Sequence, residues 1–201
     1  LMTRPEVDRV IPSPRLRAVP DDVPAPGALS EVDGSVQWNI SMIGADKVWD
    51  EFKVRGEGIV VGQSDSGVDG MHPAIREQYR GVTQGDDYNW FDPWDATTSP
   101  NDEGGHGTHT MGTILGANGI GVAPEAQWIG CVNLDRNLAN PALYLDCMQF
   151  MLAPFPHGGD PFKDGDPSKA AHVLNNSWGC PSLEGCDPNA LLYAANNLRD
   201  A

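Results

Sequence analysis

The chain has 201 residues, enough for one domain with a sizeable hydrophobic core. Its 13 Lys and Arg against 28 Asp and Glu give a formal net charge of −15, which disfavours binding to nucleic acid or to an anionic membrane surface. No apolar run approaches the roughly 20 residues of a transmembrane helix. The 23 Gly and 17 Pro favour an α/β enzyme with long loops over a helical bundle.

The first elements follow a Pro-rich start. Residues 1–35 lack hydrophobic periodicity and predict an extended arm or the remnant of a propeptide. A short helix is predicted over residues 43–49, and the apolar run that begins at residue 58 predicts a strand over residues 58–64. Because this run shows no alternation of polar and apolar residues, it is typical of a parallel sheet covered on both faces.

Residues 84–105 are polar, acidic and contain Trp, which predicts a long loop. A loop of this length in a compact domain is usually functional or stabilised by a ligand. Since acidic loops are common Ca²⁺ sites, a structural calcium ion is one expectation for this segment.

Strands and helices alternate in the rest of the chain. An Asn-Pro pair at residues 140–141 predicts a helix start, because Asn caps helices and Pro is favoured in the first turn. Leu145, Met148 and Leu152 share one face of that helix. The other predicted elements are helices over 106–116 and from Asp187-Pro188 to the chain end, and strands over 128–134 and 172–176. This alternation indicates an α/β fold with a mainly parallel sheet flanked by helices.

Four cysteines are present, and none forms the C-x-x-C pair of a zinc site: Cys131, Cys147, Cys180 and Cys186. Three disulfide pairings are possible within the chain, and one Cys could instead pair with a residue outside it. Cys180 and Cys186 are close enough in sequence to close a small ring. The cysteines therefore indicate the compartment only weakly.

Asp65 and His106 are the candidate catalytic residues. Asp65 stands at the carboxyl end of the first predicted strand, where open α/β sheets place their sites, and a carboxylate there can orient an imidazole. His106 opens a helix between Gly105 and Gly107, and glycine allows substrate to reach the ring closely. Each residue also has a structural interpretation, because Asp-Ser-Gly often caps a turn and a single His is usually a satisfied structural residue.

A metal site is the competing interpretation of the same region. His106 and His109 are spaced i, i+3, and Asp65, Asp69 and His72 could supply further ligands. However, an H-x-x-H pair without a third ligand at a recognised spacing is a weak metal signal. His109 is instead expected one turn along the helix, packed behind the site.

Several segments, in the right order, resemble the subtilisin family of serine peptidases. Residues 63–69 with His72-Pro73, and residues 105–113, resemble the family's segments around its catalytic Asp and His, and residues 121–124 match a further segment. The segments that resemble the bacillopeptidase F branch are residues 36–40, 88–92, 152–154 and 173–179. The resemblance runs from about Val36 onward, so residues 36–201 are interpreted as the N-terminal part of a subtilisin-like peptidase domain.

The resemblance implies a role for each matching residue. Asp65 orients the imidazole and stabilises its cation, and His106 acts as general base and then as general acid. Ser177, Trp178 and Gly179 match the segment whose backbone pairs with an extended polypeptide substrate. Ser177 is not expected to be the nucleophile, because it lacks the glycine-flanked helix start that exposes a reactive hydroxyl. The resemblance implies a secreted enzyme that needs no cofactor or catalytic metal.

Two parts of the family pattern are absent from the sequence. Neither the oxyanion-hole Asn, expected in Ala-Gly-Asn, nor the nucleophile, expected in Gly-Thr-Ser, is present. Because the subtilisin order is Asp, His and then a later Ser, the Ser is expected in a C-terminal remainder of the same peptidase. The 201-residue chain alone is then expected to be inactive. The alternative, from another functional class, is a pseudoprotease that binds extended peptides without cleaving them.

Overall fold

A parallel sheet forms the centre of the molecule. The computed structural model describes residues 34–135, 138–179 and 189–201, together with Arg4 and Val10. Its four-stranded parallel sheet has the order β2-β3-β1-β6, and a separate antiparallel ribbon is formed by β4 and β5. The strands are β1 Val60–Asp65, β2 Trp90–Phe91, β3 Gln127–Val132, β4 Leu134–Asp135, β5 Leu138–Ala139 and β6 Val173–Asn175.

The α-helices of the described residues are α1 Trp38–Ile43, α2 Ala45–Phe52, α3 Gly81–Gln84, α4 His106–Leu115, α5 Pro141–Leu152 and α6 Leu192–Asp200. Helices α4 and α5 begin where the sequence predicts them. Helix α1 begins before the predicted range 43–49, α6 begins after the predicted start at 187–188, and α3 was not predicted. Asn140 caps α5 as predicted, because its side chain accepts the N–H of Ala142 at 3.0 Å. The helix predicted over 43–49 is two helices, since Gly44 takes a left-handed conformation (φ 75°) between them. In the described part of the chain no helix is long and apolar enough to cross a membrane.

Helices pack on both faces of the sheet, which confirms the predicted α/β class. Alternate residues of a strand point to opposite faces, so Val61 and Val60 belong to different core clusters. One cluster contains Val61 with residues of α4, namely Met111 and Leu115. The other contains Val60 with residues of α5, among them Phe150. The sheet therefore separates α4 from α5.

The prediction of one long loop over residues 84–105 is wrong, because β2 lies within this segment. Trp90 of β2 is fully buried and lies opposite Gly130 of β3. A side chain at Gly130 would meet the Trp90 ring, since a Cβ there would lie 2.7 Å from it. Burial of this ring attaches the segment to the edge of the sheet, although a strand of only two residues has no periodicity to predict it.

A disulfide joins the sheet to α5. Cys131 of β3 and Cys147 of α5 are bonded, with a Cα–Cα distance of 5.6 Å. This bond belongs to one of the three pairings that the sequence left open. Cys180 and Cys186 lie outside the described residues, as do the Asp187-Pro188 helix start and most of the predicted arm over residues 1–35.

Replacing both Cys131 and Cys147 by Ala is expected to lower the free energy of unfolding of the intact protein. The sequence separation is 16 residues, and a disulfide that closes a loop of this size contributes about 3 kcal/mol. Urea unfolding under non-reducing conditions measures the change. An unchanged free energy of unfolding would show that this disulfide does not stabilise the fold.

Candidate active site

Asp65 and His106 form a buried pair at the carboxyl end of β1. Asp65 is the last residue of β1 and His106 is the first residue of α4. The two residues are only 1% and 7% exposed. The Asp65 Oδ1 atom lies 2.6 Å from His106 Nδ1 and also accepts the N–H of Ser66 at 2.7 Å. Because the carboxylate can only accept, Nδ1 carries the proton and Nε2 of a neutral ring carries the lone pair. This is the geometry of an imidazole held ready to accept a proton.

Asp102 fixes the start of α4 beside Asp65. Its Oδ1 atom accepts hydrogen bonds from Ser66 Oγ (2.9 Å) and from the Gly105 N–H (2.8 Å). Its Oδ2 atom accepts the N–H of Thr108 at 2.9 Å. Ser66 Oγ in turn accepts the Gly107 N–H at 2.9 Å, so the residue after Asp65 is bonded to the residue after His106. Asp102 was not singled out from the sequence, because it lies three residues before the N-cap Gly105, outside the position at which a capping side chain is expected.

Gly107 allows two backbone segments to pack closely. From the sequence, this glycine was interpreted only as giving substrate access to the His106 ring. A Cβ at Gly107 would lie 1.9 Å from the carbonyl oxygen of Gly67 and 3.1 Å from the Asp65 Cβ. Only glycine therefore lets α4 lie directly on the segment that follows β1. The contact is internal to the protein, and it brings the start of α4, with His106, close to Asp65.

Gly107→Ala is expected to destabilise the protein and to separate His106 from Asp65. The added methyl group overlaps backbone, which cannot move as a flexible side chain would, so the cost is about 3 kcal/mol, the upper end for overpacking. The matched control is Gly112→Ala in the same helix, where a Cβ meets no atom within 4 Å and the higher helix propensity of Ala adds up to about 1 kcal/mol of stability. Urea unfolding measures both variants. Equal stability of the two variants would contradict the close-approach role of Gly107.

Several buried polar atoms behind Asp65 have no hydrogen-bond partner among the described residues. They include Asp65 Oδ2, the side-chain atoms of Asn133, the Tyr144 hydroxyl and the Trp178 Nε1. Asn133 is held close to Asp65, since its N–H donates to the Asp65 carbonyl at 2.9 Å. Burial, and secondly the negative charge of Asp65, raise the pKa of Tyr144 well above its usual range. The surroundings of Asp65 are therefore polar as well as buried.

The segment Ser177–Gly179 follows β6, which lies beside β1 in the sheet. Asn175 of β6 is the register partner of Gln63, two residues before Asp65. Ser177 Oγ lies 2.9 Å from Asn175 Nδ2, and the Trp178 ring packs on Tyr144 with 4.2 Å between centroids. The fold thus brings this segment to the same end of the sheet as Asp65 and His106. Its role in binding substrate stays a prediction.

The described residues contain no group of three or more His, Cys, Asp or Glu side chains that could hold a metal ion. His109 is exposed, so the expectation that it packs behind the site is wrong. Asp69 is exposed as well, and the Nδ1 of His72 accepts the N–H of Ala74 at 3.3 Å. The ligand set that the sequence offered for a catalytic metal is therefore not assembled. A calcium ion in the acidic segment stays a prediction, although the carboxylate of Asp102 is occupied by protein donors.

Most of the chain is similar to known peptidases of one family. The model of the Subtilase family (Peptidase_S8) matches residues 56–198. The chain is 36% identical to bacillopeptidase F of Bacillus subtilis (strain 168) over 191 aligned positions, in a match that covers 87% of this chain and 13% of that protein. It is 31% identical to fervidolysin of Fervidobacterium pennivorans over 156 residues, 71% of this chain and 19% of that protein. A third relative, the minor extracellular protease Vpr of Bacillus subtilis (strain 168), is 41% identical over 90 residues, 42% of this chain and 11% of that protein.

The chain spans less than a fifth of the length of these three relatives. The matched range nevertheless includes β1, α4 and β6, and with them both Asp65 and His106. From this match, and from the buried Asp-His pair at the end of a parallel strand, we conclude that the chain belongs to the subtilase family.

Proposed function

We propose that the chain is the Asp- and His-bearing part of a secreted, subtilisin-like serine endopeptidase. The observation that carries this proposal is the buried Asp65–His106 pair, with 2.6 Å between Oδ1 and Nδ1. In peptide hydrolysis, the Nε2 of His106 takes the proton of the serine hydroxyl as the serine attacks the peptide carbonyl. His106 then gives this proton to the leaving amine, while Asp65 holds the ring and stabilises its cation. Water and the same histidine release the acyl group from the serine.

The serine belongs, in this proposal, to the C-terminal remainder of the same peptidase. Two features of the described residues support a place where this C-terminal remainder packs against the chain. In the described part of the chain, β6 lies at the edge of the sheet with β1 on one side only, and an edge strand offers N–H and C=O groups for a further strand. A cavity of about 570 Å³ beside β6 is lined by apolar side chains of α5, β6 and α6, such as Met148, Leu174 and Leu198.

The substrate in this proposal is an extended polypeptide, bound along Ser177–Gly179 by backbone hydrogen bonds. Such binding selects backbone shape before side-chain identity, which suits an endopeptidase. The proposed secretion is supported by the buried Cys131–Cys147 disulfide, because such bonds persist in oxidising compartments. The name of the relative Vpr as an extracellular protease agrees with it.

Hydrolysis of an unstructured polypeptide by the intact protein tests this function. We expect cleavage that a serine-directed sulfonyl fluoride abolishes and that a metal chelator leaves unchanged once the fold is confirmed to be intact. Loss of cleavage with the chelator but not with the sulfonyl fluoride would favour a metal hydrolase. Peptide binding without cleavage would favour the pseudoprotease.

A further inference from the structure

Gln63 is a buried amide in the middle of β1 that the catalytic mechanism above does not use. It is 1% exposed, and it shares a strand face with Asp65 two residues later. Its Nε2 donates to the carbonyl oxygen of Gly107 at 2.7 Å, and its Oε1 accepts from Thr110 Oγ1 at 3.0 Å. Gly107 directly follows His106, so this amide is attached to the first turn of the helix that carries the catalytic ring.

The same amide is also attached to β6. Gln63 and Asn175 are register partners, and Asn175 Nδ2 lies 3.2 Å from Gln63 Oε1. The Asn175 side chain is bonded in turn to Ser177 Oγ, at 2.9 Å from Nδ2 and 3.2 Å from Oδ1. A continuous chain of hydrogen bonds therefore runs from Gly107 through Gln63 and Asn175 to Ser177. Its two ends are the peptide after the catalytic His and the segment proposed to bind substrate.

Stability alone does not require an amide at this position. The neighbour on the same strand face, Val61, fills its place in the core by apolar packing. A buried amide stabilises little even when fully bonded, and it costs about 1–3 kcal/mol when its partners are removed. The amide instead fixes the position of the Gly107 peptide relative to both β1 and β6, because it is hydrogen-bonded to Gly107 and to Asn175. A displacement of about 1 Å in a catalytic group lowers the rate by roughly 10²-fold.

We propose that Gln63 is a positioning residue that couples occupation of the segment Ser177–Gly179 to the alignment of His106. The inference rests on the proposed function, since it needs a peptide on that segment and a proton transfer at His106. When an extended peptide binds, it orders Ser177, and the hydrogen bonds through Asn175 and Gln63 hold the Gly107 carbonyl in place. Substrates too short to reach the segment gain nothing from this connection.

The test compares peptide substrates of increasing length on the amino-terminal side of the cleaved bond, with the intact peptidase. The wild type should gain in kcat as the peptide lengthens over the segment. In Gln63→Met, which keeps the size of the side chain and removes its hydrogen bonds, we expect kcat for the long peptides to fall by about 10- to 100-fold. Hydrolysis of the shortest ester should fall by less than about threefold, because its reaction does not use the connection.

Two further variants test the connection without replacing Gln63. Thr110→Val is the control, because it removes the hydroxyl shared between Gln63 Oε1 and the Gly107 carbonyl and leaves the Gly107–Gln63–Asn175 connection in place; it should keep the gain with length. Asn175→Ala breaks the connection at its other link and should lose the gain as Gln63→Met does, even where Gln63→Met folds poorly.

The outcomes separate this inference from the proposed function. Equal losses for short and long substrates in both Gln63→Met and Asn175→Ala would overturn the coupling and leave the peptidase assignment standing. A wild-type protein that neither hydrolyses any of the peptides nor reacts with a fluorophosphonate would overturn the proposed function, and the coupling with it.

Discussion

His106→Ala is expected to reduce peptide hydrolysis by the intact peptidase about 10⁶-fold, because a triad without its base loses nearly all of its effect. Asp65→Asn should reduce kcat about 10⁴-fold, because the amide favours the wrong tautomer of the ring. The distinction follows from the 2.6 Å contact, in which the carboxylate can only accept from Nδ1. Steady-state kinetics on one peptide substrate measure both effects, which should lie in kcat and not in KM.

His109→Ala is the matched control for this prediction. It lies on the same helix three residues after His106, and its side chain is exposed. Its kcat should stay within a factor of about two of the wild type, since surface substitutions usually change little. Comparable losses of kcat in His106→Ala and His109→Ala would contradict the assignment of His106 as the base. If a chelator also abolished the activity of the wild type, a metal site at these two histidines would be favoured.

Trp90→Ala is expected to have the largest effect on stability, about 3–5 kcal/mol, because it removes a large buried ring. The ring is fully buried against Gly130, and its Nε1 donates to Thr97 Oγ1 at 3.1 Å. This side chain attaches the segment over residues 84–105 to the sheet, and that segment ends with the Asp102 contacts that fix α4. Activity at a temperature where the variant is still folded should therefore fall as well.

Trp38→Ala separates the effect of burial from that of losing a Trp. Trp38 is 74% exposed, so its replacement should change the free energy of unfolding by no more than about 0.5 kcal/mol. Urea unfolding of the intact protein, followed by circular dichroism, measures both variants. A Trp90→Ala variant as stable as Trp38→Ala would show that β2 is not held by this ring.

The parts of the fold that the sequence predicts correctly are those with strong local signals. Asn140 with Pro141 predicts the start of α5 because a side-chain cap and a fixed φ angle act within a few residues. The apolar run before Asp65 predicts β1 because a strand covered on both faces needs no polar residues. Since Asp65 ends that strand and His106 starts a helix, the positions of both side chains of the proposed catalytic pair were predictable from short segments.

The features that the sequence analysis missed depend on contacts between distant segments. Leu145 and Leu152 share a helix face with the buried Met148 yet are 44% and 41% exposed, because the tertiary arrangement covers only part of that face. Gln63 interrupts an apolar strand, and its partners in α4 and β6 lie 44 and 112 residues away in sequence. The role of this polar residue in β1 becomes visible only when the fold brings α4 and β6 next to it.

The most direct test of the proposed Asp–His–Ser triad is the intact mass of the full protein after reaction with a fluorophosphonate, with His106→Ala treated in parallel. We expect one covalent adduct on a serine outside the 201 residues, formed rapidly in the wild type and hardly at all in His106→Ala. An unlabelled wild-type protein that still binds extended peptides would contradict the account and identify a pseudoprotease. Labelling at equal rates in both proteins would show that His106 does not activate the serine.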